Sequence, residues 1–243
     1  MAGLKLDPFA QRRLLDLAAA DQALGSARHR RQALPELAVI EAGTEKATAL
    51  RGEALLAETE VADLKRAMNK LELEIDQVRG RARRDADRLA SGSASAKELE
   101  NLQHEIESLT RRQGVLEDEE LELMEQREEA EVGLTALHKA EAELKAELDA
   151  ASARRDEAFA EIDAEASRQE EKRRAVSEGL PAEVLALYNR IHDSGKIAAA
   201  QLAGARCGAC RIEIDRTALS EIRAVPVDGI ARCSECGAIL IRS

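Results

Sequence analysis

Apolar residues in the central part of the chain recur at alternating intervals of three and four positions. Between residues 47 and 89 this heptad pattern is broken only at Asp85, and a second series starts at residue 99. A helix with such a stripe buries it against another helix, so two series flanking one flexible segment predict a long antiparallel coiled-coil hairpin. The first series comprises Ala47, Leu50, Ala54, Ala57, Val61, Leu64, Met68, Leu71, Ile75, Val78, Ala82, Asp85 and Leu89. The second comprises Leu102, Leu109, Leu116, Leu123, Ala130, Leu137, Leu144 and Ala151, with the half-polar companion positions Leu99, Ile106, Gln113, Glu120, Arg127, Leu134, Glu141 and Leu148.

One Gly/Ser cluster, Ser91-Gly-Ser-Ala-Ser95, separates the two series and predicts a turn near 90–96. Ser95 can cap the second helix, because Glu98 follows three residues later and completes a capping box. A fold near 92–93 would place residue i opposite roughly residue 185 − i. The alternative is two separate long helices that dimerise with other chains.

That register predicts two charged pairs across the hairpin: Lys65 opposite Glu120, and Glu58 opposite Arg127. Polar interruptions of the apolar stripe would then be paired with each other. Pairs of this kind help to fix the register of a coiled coil.

Proline and glycine positions predict where the helices end. Pro35 predicts a break, because proline fits the first turn of a helix and not its interior. After residue 151 the apolar stripe changes phase, and Gly179-Leu-Pro181 ends the second long helix. The predicted divisions are a coiled-coil hairpin at 1–179, a short helix and linker at 180–196 and a small domain at 197–243.

Four cysteines, the only ones in the chain, form two matching pairs in that last segment: Cys207-Gly-Ala-Cys210 and Cys233-Ser-Glu-Cys236. Each Cys-x-x-Cys turn directs two thiolates at one ion, and two such turns complete a tetrahedral shell. The 22 residues between the pairs suit a zinc ribbon. Around the cysteines we predict a strand at Ile212 and Ile214, a helix from Thr217 to Val225, a turn at 226–229 and a strand from Ala238 to Ile241. The fold class is mainly α, with a small α+β zinc ribbon.

Other uses of the cysteines fit less well. Disulfides need an oxidising compartment, and the N-terminus lacks the apolar stretch of a signal peptide. A redox Cys-x-x-Cys is expected once, within a βαβ unit that the sequence does not show. Iron is the closest alternative to zinc, because ligand type alone separates the two metals poorly. One structural Zn²⁺ is the favoured prediction.

The composition of the chain argues against some classes of function. Charged residues make up 34% of the chain, only three residues are aromatic, and the net charge is −11. The segment 197–243 carries six arginines against five acidic residues, so the negative charge lies in the helical part. An acidic rod disfavours wrapping by nucleic acid along its length. No apolar run is long enough to span a membrane, and a cytoplasmic location is expected.

The motifs at the C-terminal end resemble those of the bacterial C4-type zinc ribbon domain family. They are Leu-Pro-x-x-Val-Leu-x-Leu-Tyr-x-Arg-Ile at 180–191 and Cys-x-x-Cys-Gly-x-Ile-Leu at 233–240, and the segment 97–106 is similar to that family's second-helix start. The resemblance implies zinc bound by Cys207, Cys210, Cys233 and Cys236. It also implies a non-catalytic role, as adaptors or regulators that bind other proteins and in some cases RNA. This chain departs from the family at Ala238 and Ile241, where many relatives have a basic and an aromatic residue.

No constellation of residues predicts catalysis. The four histidines are scattered over helices, and an all-thiolate zinc leaves no open position for water. We therefore predict a non-enzymatic adaptor or regulator with one or more protein partners, no small-molecule substrate, a coiled-coil spacer and a ribbon that docks onto proteins. The alternative is an RNA- or DNA-binding regulator that uses arginines at the hairpin tip and beside the knuckles: Arg79, Arg81, Arg83, Arg84, Arg88, Arg206, Arg211 and Arg232.

Overall fold

The computed structural model describes residues 4–92 and 95–242 and is dominated by helices. In chain order the elements are α1 Pro8–Gln32, α2 Pro35–Ala90, α3 Ala96–Glu178, α4 Ala182–Asp193, β1 Ala199–Ala203, β2 Arg206–Cys207, α5 Arg216–Ala224, β3 Ala231–Arg232 and β4 Ile239–Ile241. No helix in the described part of the chain is long and apolar enough to cross a membrane. The predicted fold class, a long helical hairpin followed by a small strand-containing domain, is confirmed.

The chain forms two compact units. The hairpin unit is Ala38–Ser152, and the ribbon unit combines Met1–Leu37 with Ala153–Ser243. The boundaries fall next to the predicted break at Pro35 and the predicted phase change after residue 151. This division differs from the predicted one at 179 and 196, because α1 and the end of α3 pack with the ribbon rather than with the coiled coil.

The heptad stripe forms the seam of the hairpin unit. Every predicted position from residue 47 to residue 89 and from residue 99 to residue 151 is buried or half-buried, including the polar ones. At its centre Leu116, which is 1% exposed, packs in one cluster with Leu71 and Ile75. The period of 3.5 residues therefore located the buried faces of both helices.

The two charged pairs predicted across the hairpin are not among the ion pairs of the described residues. Lys65 Nζ lies 3.0 Å from Glu131 Oε1, not beside Glu120, and Glu58 Oε1 lies 3.4 Å from His138 Nε2, not beside Arg127. Both partners lie eleven residues further along α3 than predicted. The apolar layer lies closer to the prediction: Leu71 packs with Leu116, two residues from the predicted partner position 114.

The connection between α2 and α3 spans residues 91–95, close to the predicted turn at 90–96; residues 93 and 94 of that prediction lie outside the described part. The predicted capping box at the start of α3 is confirmed. Glu98 Oε2 accepts hydrogen bonds from the N–H and hydroxyl of Ser95 at 2.8 and 2.7 Å. The Ser95 N–H and hydroxyl, and more weakly the charge of Arg88, lower the pKa of Glu98.

The ribbon unit has a continuous core to which α1, α4 and the sheet all contribute. Leu14 and Leu17 of α1 and Tyr188 of α4 are fully buried, and they pack in one cluster with Ile239 of β4. Apolar residues on three separate elements thus share one interior. The ribbon is therefore not an isolated module, since its sheet has helices packed against it.

A four-stranded sheet in the order β2-β1-β4-β3 carries the knuckles. β1 runs parallel to β4, and the two outer pairs are antiparallel. The predicted helix, turn and final strand are present as α5, the turn at 226–229 and β4. The predicted strand at Ile212 and Ile214 is reduced to an isolated antiparallel bridge between Glu213 and Arg206, with Ile214 buried and Ile212 50% exposed.

Candidate metal centre

The four cysteines come together in the ribbon unit, two from each knuckle. All four Sγ atoms lie within 4.8 Å of one another. Cys207 Sγ is 3.8 Å from Cys236 Sγ, and Cys210 Sγ is 3.9 Å from Cys233 Sγ. A tetrahedral zinc ion with Zn–S bonds of about 2.3 Å separates its ligands by about 3.8 Å. The set therefore fits one tetrahedral ion.

The two knuckles have the same backbone geometry. The carbonyl of Cys207 accepts from the N–H of Arg211 at 2.9 Å, and the carbonyl of Cys233 accepts from the N–H of Gly237 at 3.0 Å. Both donors have left-handed backbone conformations, with φ of 62° at Arg211 and 77° at Gly237. Glycine adopts this conformation without strain, whereas another residue costs about 1–2 kcal/mol. Arg211 thus occupies a position that favours glycine.

The environment of the thiols matches a cation site. Burial raises the pKa of the Cys207 thiol to about 12. Burial also opposes ionisation of Cys233, but the backbone N–H groups of Cys236 and Glu235 outweigh it and lower the pKa of this thiol. A metal ion bound by these sulfurs would stabilise the thiolate form of Cys207, because it displaces the proton.

Cys207, Cys210, Cys233 and Cys236 thus hold one structural Zn²⁺. Cys207 and Cys233 are buried and the other two are half-buried. Four cysteine ligands saturate a tetrahedral ion, so it offers no position to a water molecule or a substrate. Its role is to join two loops that are far apart in the sequence.

The three arginines beside the knuckles all lie on the surface, and they differ in the contacts that they make. Arg206 and Arg211 are exposed. Arg232 Nε donates to the carbonyl of Gly237 at 3.1 Å, so this side chain supports the second knuckle. Arg232 thus has a local structural role, and its contact with a partner or nucleic acid stays a prediction.

Two of the arginines predicted at the hairpin tip are paired with acidic residues of α3. Arg79 Nη2 lies 3.2 Å from Glu117 Oε1, and Arg81 Nη2 lies 2.6 Å from Glu105 Oε1. Arg83, Arg84 and Arg88 are exposed and form no ion pair among the described residues. Part of the predicted positive charge is therefore neutralised within the hairpin.

A polar cluster in the ribbon unit was not predicted from the sequence. Asp21 of α1, whose side chain is 6% exposed, accepts from the Tyr188 hydroxyl at 2.7 Å and from Arg173 Nε at 2.6 Å. His192 Nδ1 lies 3.7 Å from the same carboxylate, and its ring stacks on Tyr188. Burial, together with the Asp21 hydrogen bond, raises the pKa of Tyr188. The sequence signal was an aspartate on the apolar face of α1.

Two family models account for most of the chain. A model described as the CT398-like coiled coil hairpin domain matches residues 17–196, and a C4-type zinc ribbon domain matches residues 206–240. The chain belongs to the CT398-like coiled-coil hairpin family. The resemblance to the C4-type zinc ribbon proteins, which the cysteine motifs indicated, is confirmed as well.

Relatives within this family match over nearly the whole chain. An uncharacterized protein of Mycobacterium tuberculosis is 42% identical, covering 96% of this chain and 95% of its own length. A solved structure from Mycobacterium smegmatis has a TM-score of 0.88 at 36% identity, covering 98% of this chain and 100% of that one. CT398 of Chlamydia trachomatis has a TM-score of 0.68 at 19% identity, covering 96% and 98%, and shows the shared fold alone.

Proposed function

We propose that the protein is a non-enzymatic adaptor, in which the coiled coil acts as a spacer and the zinc ribbon docks onto another protein. The observation that carries this proposal is the closed metal site, with four cysteine sulfurs within 4.8 Å of one another. A saturated zinc ion contributes folding free energy rather than chemistry. What it provides is a fixed protein surface.

The helices of the hairpin unit support a spacer role. α2 has 56 residues and α3 has 83, so α2 alone extends about 84 Å at ~1.5 Å per residue. Along the hairpin the flanks of the seam carry exposed ion pairs such as Lys65–Glu131. A long helical pair with a charged surface separates what is attached at its ends and needs no pocket of its own.

Zinc coordination by reduced cysteines supports a cytoplasmic location for this adaptor. Cytosolic thiols stay reduced and remain available for metal binding, whereas secreted proteins tend to convert paired cysteines into disulfides. The four cysteines pair across the two knuckles at 3.8 and 3.9 Å, distances that suit a shared ion and not a disulfide bond.

The nucleic-acid alternative has less support. Arg79 and Arg81 are engaged with Glu117 and Glu105, and the net charge of the whole chain is −11. Binding to a phosphate backbone depends on unpaired positive charge that releases counterions. The remaining tip arginines would have to act within an acidic hairpin.

Affinity capture with the full zinc-loaded chain tests the adaptor function. A nuclease-treated extract of the native cell should yield a protein partner with the intact chain, and none with Cys233→Ser, which lacks one metal ligand. Labelled RNA and DNA are tested in parallel at low and high salt. Binding of nucleic acid that weakens steeply with salt, without a protein partner, would favour the alternative.

A further inference from the structure

A concave groove lies in the ribbon unit where the beginning of α1 meets the turn after α5. Its volume is about 280 Å³. The metal site and the polar cluster around Asp21 do not contribute to its walls. Its walls include Pro8, Phe9, Arg12, Arg223, Val225 and Val227, together with Gln11 and Arg242.

Two large apolar side chains that line this groove are exposed to solvent. Phe9 is 78% exposed and Val227 is 74% exposed. Phe9 is one of only three aromatic residues in the chain. Single exposed apolar residues are common on protein surfaces, but apolar side chains that line a concavity are typical of binding sites.

Two unpaired arginines line the same groove. Neither Arg12 nor Arg223 forms an ion pair or a side-chain hydrogen bond with any residue that the structure describes. Other arginines of the ribbon unit are engaged: Arg173 with Asp21, for example, and Arg242 with backbone carbonyls. In a chain with net charge −11, two free guanidinium groups beside an apolar cleft attract carboxylates.

Side-chain hydrogen bonds connect the elements that line the groove. Gln11, which is 4% exposed, donates from Nε2 to the carbonyls of Leu6 and Val227, both at 2.9 Å. These bonds join α1 to the turn at 226–229.

Arg242 fixes the other side of that turn. Its Nη1 donates to the carbonyls of Ile222 and Val225, and its Nη2 donates to those of Pro226 and Gly229. Walls that are ordered in advance reduce the entropy cost of binding.

We propose that this groove binds an acidic peptide segment of a partner protein. One apolar side chain of the segment packs between Phe9 and Val227, and flanking carboxylates pair with Arg12 and Arg223. The proposal rests on the adaptor function and assigns it a surface and a partner chemistry. Nucleic acid fits the groove less well, because Phe9 is the one aromatic side chain among the described residues of its walls and gives successive bases no row of stacking platforms.

Selection from a display library of short random peptides on the full zinc-loaded chain tests the proposal. The peptides that survive should combine a central apolar residue with flanking Asp or Glu. Selected peptides are then labelled, and their affinity is measured by fluorescence anisotropy. Enrichment of basic peptides, or no enrichment over the unselected library, would overturn the proposal.

Charge reversal of both groove arginines supplies the decisive variant. Arg12→Glu combined with Arg223→Glu should weaken peptide binding by about tenfold or more, because two attractions become repulsions. Arg28→Glu combined with Arg168→Glu makes the same change in net charge at exposed positions of the same unit and should leave binding intact. Equal losses in both double variants would contradict a specific groove.

Truncation of Phe9 tests the apolar contact separately. Phe9→Ala should weaken peptide binding about fivefold or more, while zinc content and helical signal stay unchanged because the side chain is exposed. If labelled single-stranded RNA displaces the peptides and depends on the same arginines, the groove is a nucleic-acid site and the proposal is wrong.

The groove and the adaptor function can fail separately. A native partner captured equally by the intact chain and by the groove double variant, but not by Cys233→Ser, would overturn the groove and leave the adaptor function in place. Selected peptides that bind through the groove when no cellular protein is captured would instead contradict the adaptor function.

Discussion

The hairpin unit and the ribbon unit bury their residues in different ways. Of the eight largest fully buried side chains in the described part of the chain, only Leu116 belongs to the hairpin unit. The other seven, among them Tyr188 and Cys207, belong to the ribbon unit. The hairpin instead repeats half-buried positions along a narrow seam, with exposed ion pairs on either side.

This difference predicts where a single substitution changes the stability of the protein most. In the hairpin, stability is spread over many similar layers, so each side chain contributes a small part. In the ribbon unit it is concentrated at the metal site, at the carboxylate of Asp21 and in the core around Tyr188. Substitutions at these positions of the ribbon unit should therefore reduce its stability strongly, whereas single substitutions in the hairpin should change stability only a little.

The largest effect is expected from loss of the metal. Cys233→Ser removes one of four ligands, and structural zinc contributes about 10–16 kcal/mol to the folding of zinc-finger peptides. We expect the zinc content to fall far below one equivalent and the sheet to unfold, while most of the helical circular dichroism signal remains. Elemental analysis and circular dichroism measure the two quantities.

Ser234→Ala is the matched control for that substitution, because Ser234 is exposed in the same knuckle and is not a ligand. It should retain a full equivalent of zinc. Retention of zinc by Cys233→Ser would show that the fourth thiolate is dispensable and would contradict a site that needs four cysteine ligands.

A smaller effect is expected at the buried carboxylate. Asp21→Ala leaves the Tyr188 hydroxyl buried without its acceptor and Arg173 without its counter-charge, which should cost the ribbon unit about 2–4 kcal/mol. Tyr188 is the only tyrosine and the chain has no tryptophan, so its fluorescence during urea unfolding reports on this unit. Asp16→Ala, at an exposed position of the same helix, should change little. Equal losses would refute a special role for Asp21.

In the hairpin, replacing one polar residue of the seam by an apolar one should increase stability. Arg127 is half-buried in the seam, and its Nε has no hydrogen-bond partner among the described residues; the nearest carboxylate oxygen, of Glu131, is 3.8 Å away. Arg127→Leu should stabilise the hairpin by about 1 kcal/mol. Thermal unfolding followed by circular dichroism measures the change, with exposed Arg111→Leu as the control. A loss of stability would show that Arg127 supports the seam.

The smallest effects on stability are expected from alanine substitutions at two glycines of α2, which should differ from each other. A Cβ at Gly52 would meet no atom within 4 Å, so Gly52→Ala should stabilise the helix by about 0.5–1 kcal/mol. A Cβ at Gly43 would lie 2.6 Å from Leu148 Cδ2. Gly43→Ala must therefore displace that side chain and should stabilise the protein less than Gly52→Ala does. Equal gains in thermal stability would show that the seam is loosely packed there.

Local patterns predicted local structure well. The heptad located both buried faces, Ser95 and Glu98 marked the start of α3, and the cysteine spacing identified the metal ligands. Each of these features follows from a short spacing that repeats or recurs in the sequence: three or four residues along a helix, and two residues between the cysteines of a knuckle. Their physical causes can be seen in a short stretch of sequence.

Features that depend on distant residues were missed. The two charged pairs predicted across the hairpin do not form, because Lys65 and Glu58 contact Glu131 and His138 instead. β1 contains alanine, glutamine and leucine, residues with no strong strand preference, and it forms by pairing with β4. The turn at Arg211 uses a left-handed conformation that the sequence Cys-Arg-Ile does not indicate.

Hydrogen exchange of the zinc-loaded and the chelator-treated protein tests most directly whether the metal stabilises the ribbon surface independently of the hairpin. After zinc removal, amides in β1, β4 and both knuckles should lose protection, while amides of the seam helices within Ala38–Ser152 should keep it. If the ribbon keeps its protection without zinc, or if the hairpin loses protection to the same extent, the structural role assigned to the metal is contradicted.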